Sequence, residues 1–180
     1  MRFVVTGEWT RNRLLLAIVW MFLIYTALFW VTNAALYFHS MGLSYGSVVA
    51  HYLGSEESFT QPKTYRGMLE VAHFHLFAMG VLVLTLTHLV LFVPIDRNVK
   101  ALLIASSFLS AVSDELAGWL VRFVHPGFAY LKIGSFLALE TSLAVLMALV
   151  LRAMWTSARS GYGDSDWRRG GPAPEEDERT

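Results

Sequence analysis

Between Leu14 and Leu36 the chain runs LLLAIVWMFLIYTALFWVTNAAL, 23 residues without one charged side chain. An α-helix rises about 1.5 Å per residue, so about 20 such residues cross the hydrocarbon core of a bilayer. Two further windows have the same character, Met68–Val93 (closed by Pro94) and Phe128–Met154. A fourth, Ala101–Val124, is interrupted by Ser106, Ser107, Ser110, Ser113, Asp114 and Glu115. A helix packed among three others tolerates such a polar face. The expected fold is therefore all-α, an integral membrane four-helix bundle with up-down-up-down spans at about 14–36, 68–93, 101–124 and 128–154. A hydrophobic content of 55% and a mean hydropathy of +0.48 agree. The first apolar run is too long for a secretory signal and is followed by no small-residue cleavage site, so it reads as a retained anchor.

Lys and Arg set the orientation, because cytoplasmic loops carry the excess of both. With four spans, the N-terminus, the 95–100 loop and the tail share one side and hold ten of the 14 basic residues. Lys63, Arg66, Arg122 and Lys132 lie on the other. Both termini are thus expected in the cytoplasm of a bacterial cell, with the protein in the inner membrane. The formal net charge of zero hides this polarised distribution, and nothing in the sequence looks like a nucleic-acid surface.

Residues 1–155 form the membrane domain. Its longest connection, 38–65, lies on the extracytoplasmic side, and Ser47–Leu53 within it predicts a short interfacial helix ended by Gly54. Beyond it, residues 156–180 are rich in Gly, Ser, Pro and charge, the composition of a disordered cytoplasmic tail.

Cysteine is absent, which excludes disulfides, thiolate nucleophiles, Cys-ligated iron–sulfur clusters and covalently attached haem. A cofactor would have to use His, Met or carboxylate ligands. The stretch EVAHFHLFAMG places Glu70, His73 and His75 inside an apolar run. At 100° per residue, His73 shares a face with Arg66, Glu70, Phe77, Gly80, Leu84 and His88, whereas His75 sits opposite, with Met68 and Met79. The two imidazoles cannot chelate one ion from a regular helix. Asp114 shares the small face of its span with Ser107, Ser110 and Gly118, Glu115 is spaced to meet Arg122, and Glu140 lies near mid-membrane. Asn33 belongs to the first span. Each span therefore places a polar side chain in the extracytoplasmic half, and ionisable groups at such depths mark functional sites.

Three functions compete. The first is a membrane redox or electron-transfer subunit binding one haem b, with His73 as helix ligand, His51 or His75 as partner and Gly80 giving the macrocycle room. The second is a non-haem transition-metal site (Cu, Zn or Fe) built on the Glu-x-x-His step Glu70–His73 with Asp114 and Glu140. The third is a cofactor-free accessory or assembly subunit of a membrane complex. All three have the lipid bilayer as partner, and other membrane or redox subunits besides. Trp20, Trp30, Trp119 and Trp155 read as interfacial anchors.

The segments HYLGSEES, EVAHFHLFAMG and FAYL, in that order around these spans, resemble a group of small bacterial four-span membrane proteins to which no activity is attached. The likeness covers roughly residues 13–155. It implies the four-span topology and directs attention to His51, His73 and His75.

Overall fold

A computed structural model describes residues 13–57 and 59–160. Five α-helices follow in order: α1 (Arg13–Ser40), α2 (Tyr45–Leu53), α3 (Tyr65–Val90), α4 (Arg97–Phe123) and α5 (Ala129–Ser160), with a 3-10 turn at Pro126–Phe128 before α5. Among the described residues, four helical stretches are long and apolar enough to cross a membrane: Leu14–Ser40, Tyr65–Val90, Arg97–Phe123 and Pro126–Thr156. The expected tail begins inside α5, which continues to Ser160; the rest of it lies outside the described residues.

Local chemistry fixes the helix ends. The Thr64 side chain accepts from the Gly67 amide at the start of α3. Asp96 accepts from the amides of Asn98 and Val99 at the start of α4, and Lys100 Nζ donates to the Leu91 carbonyl at 2.6 Å, so the short turn around Pro94 leaves few bare backbone groups. The helix expected over Ser47–Leu53 is α2. Ser44 caps its start, and Gly54, at φ 83° and ψ 169°, ends it in a backbone region open essentially to glycine.

α5 is the hub, packed against α1, α2, α3 and α4. Its residues Leu139, Leu143, Leu146 and Val150 recur at three- and four-residue steps, and they meet Val19 and Leu23 of α1 and Met79, Val83, Leu86 and Val90 of α3. α4 approaches α5 through a buried arc of small residues, Ser107, Ser110, Asp114, Ala117 and Gly118. Lipid is as apolar as leucine, so helices in a bilayer associate through close packing and polar contacts rather than by hiding apolar area from water. The arc on α4 suits that rule. The hydroxyls of Thr26, Thr87 and Ser107 donate back to carbonyls four residues earlier, which satisfies them inside their own helices. A second, smaller core joins Val48 and Tyr52 of α2 to Met68, Val121 and Ala129, seating α2 across one end of the bundle.

Candidate functional site

The strongest polar feature inside the bundle is centred on a lysine. Lys132 sits in the first turn of α5, and its Nζ lies 2.8 Å from Asp114 Oδ1 on α4. The same ammonium donates to the Asp114 carbonyl at 3.0 Å, and the two side chains are only 9% and 8% exposed. Ser135, one turn along α5, places its hydroxyl 3.5 Å from the same carboxylate oxygen. The Tyr52 ring covers the pair from α2, lying so close to Gly118 that a Cβ there would meet its hydroxyl at 2.6 Å. Burial pushes the Tyr52 hydroxyl above the usual phenol range, with Asp114 and Glu115 adding to the effect and Lys132 opposing it. Tyr37 of α1 stacks on Phe136 of α5, with centroids 3.6 Å apart and planes 8° from parallel.

A second group lies two turns further along α5. Asn33 donates to Glu140 Oε1 at 2.6 Å, and the Trp30 indole donates to the Glu140 carbonyl at 3.0 Å. Trp30 is therefore a strut between α1 and α5 as well as an aromatic residue of the first span. Among the described residues, Tyr37 Oη and Glu140 Oε2 are buried side-chain atoms without a hydrogen-bond partner.

The third group faces α4 from α3. His75 Nδ1 lies 3.6 Å from Glu115 Oε2, the side chains being 28% and 15% exposed. They line a small crevice of about 50 Å³ with Met79, Gly80 and Phe108. Glu115 thus meets His75 rather than Arg122, whose Nε instead donates to the Lys63 carbonyl at 2.8 Å.

Glu70 and His73 are elsewhere. The apolar arc of Met68, Ala72, Met79, Val83, Leu86 and Val90 turns inward on α3, because bulky side chains fill the seam with α5. The opposite pole therefore carries Arg66, Glu70, His73, Phe77 and His88 out of the bundle. Glu70 Oε1 accepts from Arg66 Nε at 2.8 Å on this open surface. Helical geometry separated His73 from His75, and the packing decides which of them faces inward. The four expected metal ligands do not converge: Glu70 and His73 stand on the outer pole, Asp114 is held by Lys132, and Glu140 by Asn33. Among the described residues no three His, Asp or Glu side chains come together as a metal-binding group. Gly80 borders the crevice shared with His75, with nothing within 4 Å of where a Cβ would stand.

His51, on α2, brings Nδ1 to 3.1 Å from the Ser40 carbonyl. Read as a donor, that nitrogen carries the proton and leaves Nε2 with a free lone pair. Burial lowers the His51 pKa, with the nearby Lys63 charge adding to the effect.

Lys132 and Tyr52 are the central residues that sequence reasoning missed. The distribution of Lys and Arg along the sequence places Lys132 among the charges beyond the membrane, yet it stands at the step 132, 135, 139, 143, 146 that forms the inward stripe of α5. That periodicity was the available signal.

A family model described as a transmembrane helical domain matches residues 42–161, two thirds of the chain. No curated protein and no solved structure matches.

Proposed function

The chain belongs to this family of transmembrane helical domains, and from that premise we propose that it is a redox or electron-transfer subunit of a bacterial inner membrane that binds one haem b through His73. The observation that carries the reading is the setting of that imidazole. His73 lies eight residues into α3, about 12 Å along the helix axis, and it faces out of the bundle. An ionisable side chain in that position is costly against lipid and is normally covered by a partner. Phe74 and Phe77 beside it are 73% and 77% exposed, apolar walls suited to a flat macrocycle. Haem b supplies one-electron transfer when bound. The chain's part is to present the imidazole, flank the ring with Phe74 and Phe77, and hold α3 in register.

Several contacts support the up-down-up-down arrangement. Tyr65 at the start of α3 packs on Trp119 and Phe123 near the end of α4. Asp114 pairs with Lys132 while Ser106 meets Ser142, so α4 and α5 run in opposite senses. Tyr37 on Phe136 and Asn33 on Glu140 give the same relation for α1 and α5. The distribution of Lys and Arg supports the reading in which both termini are cytoplasmic and the end of the bundle bearing α2 lies outside the cytoplasm.

The Lys132–Asp114 pair, closed over by Tyr52, clamps α4, α5 and α2 into the frame that carries α3. A non-haem metal is less well served, since Asp114 and Glu140 are engaged by other side chains. One specific feature favours a second reading. The His75–Glu115 crevice, an imidazole and a carboxylate beside Met79 and Phe108, would suit the ring edge of a lipid-soluble quinone.

The test is haem retention in single variants purified in mild detergent. His73→Ala is expected to abolish bound haem while leaving the far-ultraviolet helical signal unchanged, because the side chain is exposed; only the stabilisation that bound haem supplies should be lost with it. His51→Ala and His75→Ala should keep it. Full retention in His73→Ala refutes the ligand assignment, and absence of haem from every form, even after haem is supplied during expression, refutes the function. Loss of quinone-analogue binding in Glu115→Gln would support the second reading.

A further inference from the structure

Lys63, Arg66, Arg122 and Lys132 lie at the end of the bundle that bears α2. Lys132 is neutralised by Asp114 inside the bundle. The other three gather where α3 begins and α4 ends. Arg122 Nε donates to the Lys63 carbonyl, the Lys63 amide donates to the Tyr52 carbonyl of α2, and Arg66 follows in the first turn of α3. The Arg122 guanidinium also stands over the Phe123 ring, 5.1 Å from its centroid. Nε and one ring face hold it in place, and its two terminal NH2 groups remain for another acceptor.

Carboxylates do not meet this charge. Among the described residues, Glu70 is the one carboxylate paired with any of the three, on exposed Arg66, where such a pair is weak. Glu115 stands seven residues before Arg122, about 10 Å deeper along α4, and faces His75. The ledge beside the cations is aromatic. Tyr65 packs edge-on against Trp119 with centroids 5.4 Å apart, and Phe123 lies 5.7 Å from Trp119. Tyr65 and Phe123 are exposed, and both helices are long and apolar enough to span a bilayer, so this ledge stands where acyl chains give way to headgroups.

We propose that the junction of α3 and α4 binds an anionic phospholipid, its phosphate held by Arg122 and Lys63 with Arg66 alongside, and its upper acyl chains lying on Trp119 and Phe123. The planar fork of an arginine suits phosphate, because it offers two parallel donors. Charge complementarity selects the lipid class. A zwitterionic lipid offers the same phosphate but brings its own cation, which the unpaired Lys63 and Arg122 repel. A soluble phosphate shares the anion but has no chain to lay on the aromatic ledge. The site is independent of the haem reading.

Trp119 serves as the reporter. Full-length protein is reconstituted into phosphatidylcholine vesicles with a rising share of phosphatidylglycerol brominated on its acyl chains. The Trp119 contribution is the difference in fluorescence from a Trp119→Phe protein. Quenching should reach its plateau at a lower share of brominated phosphatidylglycerol than of brominated phosphatidylcholine. Each cation near a membrane surface changes affinity for anionic lipid about fivefold, so Lys63→Gln and Arg122→Gln should each weaken the preference by about that factor. Lys63→Gln retains the backbone contacts that seat residue 63, which separates lost binding from lost folding. Arg97→Gln, at the opposite end of α4, should leave the preference unchanged. Equal quenching by the two brominated lipids in wild type, or an unchanged preference in Lys63→Gln, would overturn the site. An equal loss in Arg97→Gln would overturn it in favour of a general charge effect. Displacement of the lipid by inorganic phosphate at constant ionic strength would overturn it in favour of a soluble anion.

Discussion

Replacing Lys132 by methionine removes the cation from the polar centre of the bundle and keeps most of the volume of its stem. Asp114 would then be left buried with a 3.5 Å contact from Ser135 as its remaining side-chain partner. Breaking one half of a buried ion pair costs about 3–5 kcal/mol, because the surviving charge is uncompensated. At about 1.4 kcal/mol per decade, that is a loss of roughly a hundredfold or more in the folding equilibrium. A competing effect is real in membranes: interhelical polar contacts average only about 0.6 kcal/mol, since side chains find other partners in the unfolded state. The two exposures of 9% and 8%, together with the 2.8 Å separation, decide for the larger figure. Unfolding in detergent, followed by tryptophan fluorescence, should show Lys132→Met destabilised by about 3 kcal/mol or more. The double variant Lys132→Met/Asp114→Leu should recover most of the loss, because an apolar pair replaces both charges. A single variant within about 0.6 kcal/mol of wild type would refute the clamp, since that is the worth of an ordinary interhelical contact.

Gly118→Ala would drive a methyl group into the Tyr52 ring, with contacts of 2.6 and 2.9 Å, and overpacking of this kind costs about 1–3 kcal/mol; a lowered unfolding midpoint checks it. Gly54→Ala places a side chain at φ 83° and 2.6 Å from the Thr60 carbonyl, so α2 should loosen by about 1–3 kcal/mol, read as faster proteolysis of the 54–64 segment. The lowered His51 pKa means that the unfolded chain binds the proton more readily. Its contribution is therefore fully present above the unfolded value of about 6.5 and is lost as pH falls from there through the folded value, a dependence that His51→Gln should flatten.

The spans were legible because long uncharged runs have few alternatives in sequence space. Arg13–Ser40 and Tyr65–Val90 overlap the predicted windows closely, and α2 starts two residues before the expected Ser47 and ends at the expected Leu53, where Gly54 was the signal. The division of His73 from His75 was also legible, being pure helical periodicity. Which of the two faces inward was not, because that depends on how α3 meets α5. Met79, Val83 and Leu86 offered a better seam than Phe77 and Leu84, and the histidines followed. Lys132 was missed for the opposite reason. A lysine four residues into a helix reads as a headgroup charge, and only the packing of α4 with Asp114 at the same depth turns it into a core residue. Trp30 likewise looked like an anchor, although its indole donates to a backbone carbonyl 110 positions away.

The most direct test of the central claim is a reduced-minus-oxidised absorption spectrum of the full-length protein, purified in mild detergent after expression with added haem precursor. The account predicts a b-type haem spectrum that disappears in His73→Ala. A spectrum without haem bands in the wild-type protein would contradict it.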